Sequence, residues 1–223
     1  MHVALIMHGN SQWAMQRGLP STASQAAGVA ALRTTVALAA SAGINTLTLY
    51  SICGPGGACP CQLEDADLSV LSHFLRGNLP HGPEDSMRIS LIGDCKPLSW
   101  FLPRSREHDD HLGGGGTGLH LRIVVDYSAH DRLTRAAWGS NDSIAPEQFF
   151  RKLREIDPTA LTAGAVDLLI RTGGGRCESD FMLWEVAHAK LHFVDRLWPD
   201  FTASDFQQAL NSQSTHNELM VIH

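Results

Sequence analysis

The chain opens on a short apolar run that ends in a glycine turn. Residues 3–7 are continuously apolar, without alternation of polar and apolar side chains, which favours a strand buried on both faces of a parallel sheet. Gly9 allows a sharp turn, and Asn10 can cap the helix that follows. A strand that passes into a helix in this way directs backbone N–H groups beyond the carboxyl end of the sheet, where a diphosphate can bind. The same residues are also compatible with a purely structural connection.

Runs of this kind alternate with segments of helical periodicity along the chain. Besides residues 3–7, the predicted strands cover residues 44–50, 87–93, 119–127, 166–170 and 191–193. The predicted helices cover residues 25–42, 63–75, 128–138, 180–189 and 202–210, together with an amphipathic segment that begins at Pro146. This alternation is typical of a parallel sheet covered on both faces. We therefore expect a single α/β domain over residues 1–223, with its ligand beyond the carboxyl ends of the strands.

Two segments interrupt the alternation. Residues 51–60 form a loop rich in Gly, Pro and Cys, and residues 96–116 contain two prolines and a four-glycine run. The second segment predicts a short broken helix followed by a mobile loop. Cys53, Cys59 and Cys61 lack the paired spacing of a zinc site, so we interpret them as thiols of an ordinary loop.

The composition narrows the classes of partner. At 223 residues with 43% hydrophobic residues, the chain can bury a sizeable core. A net charge of -6 gives no broad attraction to nucleic acid or to an anionic membrane. No apolar run is long enough to span a bilayer and no charged-then-apolar leader opens the chain, so we expect a cytoplasmic protein without an integral membrane segment. Five cysteines cannot all pair internally, which makes reduced thiols the default.

Three motifs occur in a fixed order: HGNSQWA at residues 8–14, VDLLIRTGG at 166–174 and LWPDF at 197–201. Shorter matches lie at residues 17–20, 47–50, 92–94 and 117–119. Together they resemble the cis-prenyltransferases, the undecaprenyl diphosphate synthase family, over about residues 2 to 210. The resemblance implies a six-stranded parallel sheet flanked by helices, a prenyl diphosphate substrate and a homodimer formed near the later strands and helices. It also implies an apolar tunnel between the sheet and the helices at residues 25–42 and 63–75.

Both carboxylates that bind Mg²⁺ in the family are replaced here. His8 stands at the Asp of the family's Asp-Gly-Asn motif, and Lys190 stands at its Glu before the final strand. Hard cations prefer oxygen ligands, so the sequence predicts a site without a metal in which both side chains contact phosphate directly. The alternatives are that His8 only fills space at an inactive site and that Lys190 points into solvent.

Other family positions have also changed. Ser21 and Gln25 stand where the family has the Arg and His that hold the allylic diphosphate. The substrate-covering loop is almost entirely replaced in residues 52–60, and His130 takes the place of an Arg. The family's C-terminal Arg-x-Gly is missing from residues 211–223. These replacements argue against chain elongation of the usual type.

Part of the subsite for the homoallylic substrate, isopentenyl diphosphate, is retained. The resemblance assigns its diphosphate to Arg171 and Ser179, and Arg176 can reach the phosphate in place of an Arg that is Cys177 here. The glycines at 173–175 form a candidate phosphate-cradling turn. The predicted catalytic residues are His8 and Asn10, and the predicted diphosphate-binding residues are Gly9, Asn10, Arg17, Arg171, Arg176, Ser179 and Lys190.

Three functions follow from this mixture of retained and altered residues. The first is a prenyl-diphosphate-using transferase with an Mg²⁺-independent diphosphate site, with a non-standard acceptor or an irregular coupling. The second is a non-catalytic subunit that forms a heteromer with an active relative. The third is a protein that binds an isoprenoid or a phosphate-bearing small molecule without reaction.

Overall fold

The computed structural model describes residues 1–50, 65–78, 87–93, 111–112, 118–125, 127–138, 145–156, 164–176 and 182–220. Its strands are β1 (His2–Ile6), β2 (Thr46–Tyr50), β3 (Arg88–Gly93), β4 (His111–Leu112), β5 (His120–Val125), β6 (Leu168–Arg171) and β7 (Lys190–Phe193). They form one sheet in the order β4-β3-β5-β2-β1-β6-β7.

Six of these strands are parallel, as the sequence predicts. The exception is β4, which pairs antiparallel with β3 at the sheet edge. It lies within the predicted loop at residues 96–116 and corrects that prediction, because a two-residue strand is too short to show a hydrophobic period. The rest of that segment lies outside the described residues, as does the cysteine loop at residues 51–60.

The helices are α1 (Asn10–Arg17), α2 (Ser21–Ser41), α3 (Asp65–Asn78), α4 (Ala129–Ala137), α5 (Pro146–Ile156) and α6 (Ala203–Met220), with a 3₁₀ turn at Trp198–Asp200. The predicted helix at residues 180–189 is wrong in its described part, because residues 183–188 form turns and Met182 has a φ of 40°. The terminal helix extends ten residues beyond the predicted end. The sequence does not predict this extension, because residues 211–218 are polar and show no apolar period.

Both faces of the sheet are covered. Leu5 and Leu49 contribute to a large apolar cluster that includes Leu32 of α2 and Phe74 of α3. A second cluster on the opposite face contains the side chains Ala4, Ile6, Tyr50, Val124, Tyr127, Met182 and Val186. The double-sided burial predicted for the strands is therefore confirmed in β1, β2 and β5, whose residues are all buried. The predicted tunnel under α2 and α3 stays a prediction.

Among the described helices, none has the length and apolarity needed to cross a membrane.

Candidate active site

The candidate site lies where β1 and β6 end side by side. Ile6 and Arg171 are neighbours in the parallel register, so the loops after them emerge together at the carboxyl edge of the sheet. The hydroxyl of Thr172 accepts a hydrogen bond from the His8 backbone N–H at 2.9 Å, and it lies 3.1 Å from the His8 carbonyl oxygen. This side chain therefore fixes the two loops relative to one another.

The turn into α1 needs glycine. Gly9 has a φ of 107°, and a Cβ built on it would lie only 2.6 Å from Cδ2 of Leu197. The His8 carbonyl oxygen accepts a hydrogen bond from the Trp198 N–H at 3.0 Å, which holds the third motif against the first. Gly9, and not Asn10, occupies the N-cap position, and it makes no side-chain cap. α1 begins directly after this turn, so the partial positive charge of its amino end lies here.

Asn10 is buried where α1 packs against α2. It is 1% exposed and contacts Gly28 of α2, where a Cβ would lie 2.6 Å from Asn10 Oδ1. The same glycine accepts a hydrogen bond from the Trp198 indole at 3.1 Å. The catalytic role of Asn10 stays a prediction, while its position couples α1 to α2.

Two basic side chains border the glycine turn at residues 173–175. The half-buried His8 contacts Gly173, where a Cβ would lie 2.8 Å from His8 Cδ2. Arg171 is 4% exposed, and its guanidinium Nε and Nη2 atoms would lie 3.0 Å from a Cβ on Gly175. The structure therefore brings together two of the predicted diphosphate-binding side chains.

Two of the three backbone amides of this turn are engaged within the protein. The Gly173 N–H donates to the Arg196 carbonyl at 2.8 Å, and the Gly174 N–H donates to the Val194 carbonyl at 3.2 Å. These two amides bind the segment after β7, and the predicted phosphate-cradling role of the turn stays a prediction.

Asp195 is a residue of this edge that the sequence reasoning missed. It follows β7, and its Oδ1 would lie 3.9 Å from a Cβ on Gly174. The signal was available, because polar residues just beyond the carboxyl ends of parallel strands share one edge.

Arg17 is engaged away from the glycine turn. Its guanidinium pairs with the Asp200 carboxylate at 2.8 Å and lies 4.5 Å from the centre of the Trp13 ring. The Trp13 indole donates to the same carboxylate at 2.7 Å. These contacts join α1 to the 3₁₀ turn, which agrees with a structural role for Trp13 and leaves the predicted diphosphate contact of Arg17 as a prediction.

Lys190 requires a correction. It pairs with Leu168 at the amino end of β7, three residues before the level of Arg171, which is about 10 Å along the sheet. Its ammonium group donates to the carbonyl oxygen of Ser212 in α6. Within one chain, Lys190 therefore does not share a diphosphate with His8, and it does not point freely into solvent either. Arg176 is exposed just after the glycine turn, and Ser179 lies outside the described residues.

The donor atoms at the two expected metal positions do not fit Mg²⁺. His8 offers a ring nitrogen and Lys190 an ammonium group, and these residues lie at opposite ends of their strands. In the part of the chain that the structure describes, no group of three or more His, Cys, Asp or Glu side chains is arranged to hold a metal ion.

A buried polar network occupies the amino half of the opposite face. His2 Nε2 lies 2.8 Å from Thr48 Oγ1, and burial together with the nearby Arg122 lowers the pKa of His2 to about 4. Burial also lowers the pKa of Arg122 to about 10 and raises that of Glu185. His2 is therefore neutral near pH 7, and the network lies at the far end of β1 from His8.

This architecture belongs to the class of parallel α/β proteins, which bind their ligands beyond the carboxyl ends of the strands. A family model described as "Putative undecaprenyl diphosphate synthase" matches residues 6–219. The chain belongs to this undecaprenyl diphosphate synthase family, the cis-prenyltransferases.

Individual relatives agree with this assignment. An isoprenyl transferase of Rhizobium meliloti is 38% identical over 94% of this chain and 87% of its own length. The ditrans,polycis-undecaprenyl-diphosphate synthase of Escherichia coli K12, specific for (2E,6E)-farnesyl diphosphate, is 32% identical over 95% and 85%. The solved structure of lavandulyl diphosphate synthase from Lavandula x intermedia, in complex with dimethylallyl diphosphate, is similar with a TM-score of 0.74 and 25% identity, covering 95% of this chain and 94% of that one.

Proposed function

We propose that this protein transfers a prenyl group from an allylic diphosphate and that basic side chains, in place of a protein-held Mg²⁺, contact the diphosphates. The observation that carries the proposal is that His8 and Arg171 both border the glycine turn, His8 at Gly173 and Arg171 at Gly175. The names of the relatives, which include isoprenyl transferases and a farnesyl-diphosphate-specific synthase, support the substrate class.

Arg171, His8 and the amino end of α1 each have a chemistry that suits contact with a diphosphate. The Arg171 guanidinium can form paired hydrogen bonds to phosphate oxygens. A protonated imidazole at His8 can donate a hydrogen bond to a departing diphosphate. The positive end of α1 adds a fixed charge of the same sign. His8 and the amino end of α1 stabilise the negative charge that develops as the allylic C–O bond breaks, while Arg171 holds the diphosphate of the acceptor.

The acceptor and the coupling mode are also part of the proposal. Ser21 and Gln25 replace the Arg and His that the resemblance assigns to the allylic diphosphate. The similar lavandulyl diphosphate synthase was solved with dimethylallyl diphosphate, an allylic C5 substrate. We therefore propose that short allylic diphosphates are used, with a non-standard acceptor or with an irregular coupling. The diphosphate of the acceptor binds at Arg171, and isopentenyl diphosphate is the probe of that site.

The purified protein should be incubated with dimethylallyl, geranyl or farnesyl diphosphate. Each is supplied with and without isopentenyl diphosphate, in Mg²⁺ or in EDTA, while organic products and released diphosphate are both measured. Turnover that persists in EDTA is the expected result. Turnover only with Mg²⁺ contradicts the metal-free part, and no turnover in any mixture favours the non-catalytic subunit instead.

The His8→Asp variant tests whether a basic side chain at this position replaces Mg²⁺. It replaces a basic group with a hard oxygen ligand, so we expect activity in EDTA to fall at least about tenfold, the effect of losing one charge-assisted hydrogen bond to phosphate. We expect Mg²⁺ to restore part of this activity. His188→Asp is the control, because His188 is exposed and lines a pocket with Gly164 and Ala165, which precede β6, whereas the glycine turn follows it. Equal activity of wild type and His8→Asp in EDTA would contradict a role for His8.

We further propose that the protein is a homodimer that uses the face around Trp184. Trp184 is 39% exposed and Leu191 is 38% exposed, although both are large and apolar. Phe149 and Phe150 of α5 lie 5.4 and 6.5 Å from the Trp184 ring, which widens the apolar surface. Surfaces of this kind favour protein association.

The Trp184→Glu variant should shift the mass measured by light scattering from dimer to monomer, because it places a charge in the centre of this surface. Met15→Glu is the control, since Met15 is 79% exposed on α1, away from that face. A monomeric wild-type protein, or a Trp184→Glu variant that stays dimeric, would contradict the proposed interface.

A further inference from the structure

The side chain of Thr172 extends the pairing of β1 and β6 beyond the ends of both strands. The regular register stops at Ile6 and Arg171. Just past it, the Thr172 N–H donates to the Ile6 carbonyl oxygen at 3.2 Å, and the Thr172 hydroxyl accepts from the His8 N–H at 2.9 Å. The same hydroxyl lies 3.3 Å from the Ile6 carbonyl oxygen and 3.1 Å from the His8 carbonyl oxygen, and either can accept its proton. One side chain therefore holds His8 where the backbone ladder has ended.

His8 is held at both polar groups of its backbone. Its N–H donates to Thr172, and its carbonyl oxygen accepts from the Trp198 N–H at 3.0 Å. The next residue of the β6 loop, Gly173, has a φ of 86°, and a Cβ built on it would lie 2.8 Å from His8 Cδ2. Thr172 thus fixes the backbone of His8, and the side chain that Gly173 lacks leaves the space that the imidazole uses.

The burial of Thr172 makes its hydroxyl difficult to replace. Thr172 is fully buried, so water does not reach the hydroxyl in the folded protein. Valine has nearly the same shape but offers no acceptor to the His8 N–H. Because a buried N–H without an acceptor is unfavourable, we expect the loop to shift in such a variant until this N–H finds another one. The imidazole of His8 would move with its backbone.

We propose that Thr172 is a positioning residue for the transfer reaction, because its hydroxyl holds His8 at the place from which the imidazole contacts the departing diphosphate. Since its own side chain is fully buried, Thr172 acts through His8 and not by contact with a substrate. Stabilisation of a leaving group depends on donors that are fixed in advance, and a displacement of about 1 Å can lower a rate about 100-fold. The inference rests on the role proposed for His8.

The experiment is a double-mutant cycle of Thr172→Val and His8→Ala in the full chain. Turnover is measured as diphosphate released from the allylic diphosphate that wild type uses best, in EDTA, or in Mg²⁺ if wild type requires it. We expect Thr172→Val to lower kcat about tenfold, part of what a displaced donor can cause. In the His8→Ala background we expect the same substitution to lower kcat less than about twofold, because the residue that Thr172 positions is gone.

The affinity for isopentenyl diphosphate provides a second readout. We expect Thr172→Val to change its dissociation constant less than about twofold, because the backbone of Arg171 keeps its 2.8 Å hydrogen bond from the Val194 N–H. Thr172→Ser retains the hydroxyl, so its kcat should stay within about twofold of wild type. If Thr172→Val does not fold, Thr172→Ala takes its place in the cycle.

Thr48→Val is the matched control. Thr48 is also fully buried, and its hydroxyl lies 2.8 Å from His2 Nε2 in the polar network at the amino half of the sheet. This variant loses a buried hydroxyl of the same residue type but leaves the contacts of His8 intact. We expect its kcat to stay within about twofold of wild type, whatever its melting temperature.

The outcomes separate this inference from the proposed function. If His8→Ala lowers kcat, while Thr172→Val has no effect or the same effect in both backgrounds, the inference is overturned and the transferase proposal stands. An equal loss in Thr48→Val also overturns it, because the effect would then be one of stability. If His8→Ala leaves kcat unchanged, the inference fails together with the role of His8, while the turnover still supports a transferase.

A wild-type protein without turnover is also decisive. If it binds geranyl diphosphate but releases no diphosphate, the transferase proposal fails, and the same cycle measured as affinity for geranyl diphosphate tests the inference. A loss in Thr172→Val that disappears in the His8→Ala background would then support it, and equal losses in both backgrounds would overturn it. If wild type does not bind geranyl diphosphate either, both proposals fail.

Discussion

Replacement of Arg171 by alanine is expected to weaken binding of isopentenyl diphosphate about 100-fold. The guanidinium is 4% exposed and lies across the glycine turn, so any phosphate that it contacts is largely removed from water. Hydrogen bonds to a charged group are worth about 1.5–3 kcal/mol each, and a paired contact removed at once should cost about 3 kcal/mol. That free energy corresponds to the expected 100-fold change in the dissociation constant.

The measurement is a calorimetric or fluorescence titration of wild type, Arg171→Ala and Arg171→Lys. The lysine variant should recover only part of the affinity, because an ammonium group cannot make the paired contact. Arg135→Gln is the matched control, since Arg135 forms an exposed ion pair with Asp131 on α4. A loss in Arg171→Ala no larger than that in the control would remove Arg171 from the proposed site.

Replacement of Trp198 by alanine should lower the free energy of unfolding by about 4 kcal/mol. Trp198 is fully buried, and its ring stacks on Phe201 with 5.4 Å between ring centres. Its indole also donates to the Gly28 carbonyl oxygen at 3.1 Å, so the substitution leaves a cavity and removes a hydrogen bond to the backbone of α2. In a chain of this length the melting temperature should fall by about 10 °C.

Trp138 provides a matched control for this prediction. It is 85% exposed, so Trp138→Ala should change the free energy of unfolding by less than about 0.5 kcal/mol. Denaturant unfolding followed by circular dichroism measures both variants, without depending on tryptophan emission. If Trp198→Ala lowers the free energy of unfolding no more than Trp138→Ala does, the contacts of Trp198 with Gly28 and Phe201 contribute little to stability.

Much of the sheet could be predicted, because a short run of apolar residues in the sequence is enough to indicate each buried strand. Residues 3–7 and 168–170 are unbroken apolar runs, and a strand buried on both faces needs such a run wherever it lies in the sheet. The sequence does not predict the end of the terminal helix, because residues 211–218 are polar. The apolar spacing around residues 183–188 predicts a helix instead of turns, because it does not reveal the positive φ at Met182.

The site was predictable only in part, because neighbouring residues come from distant parts of the chain. The meeting of His8 and Arg171 follows from the rule that parallel strands present their carboxyl ends at one edge. The same rule could have excluded Lys190, which precedes its predicted strand. The engagement of Arg17 by Asp200 had no local signal, since these residues are brought together only by the packing of α1 on the 3₁₀ turn.

The central position of β1 has a consequence for how the chain is made. β1 is synthesised first, and its neighbour β2 soon follows, but its other edge pairs with β6 at Leu168–Arg171. At a synthesis rate of about 5–20 residues per second, that edge waits roughly ten seconds for its partner. The nascent protein thus carries an apolar, unpaired strand edge on the ribosome, and chaperone dependence in cells should increase when translation beyond Tyr50 is slowed.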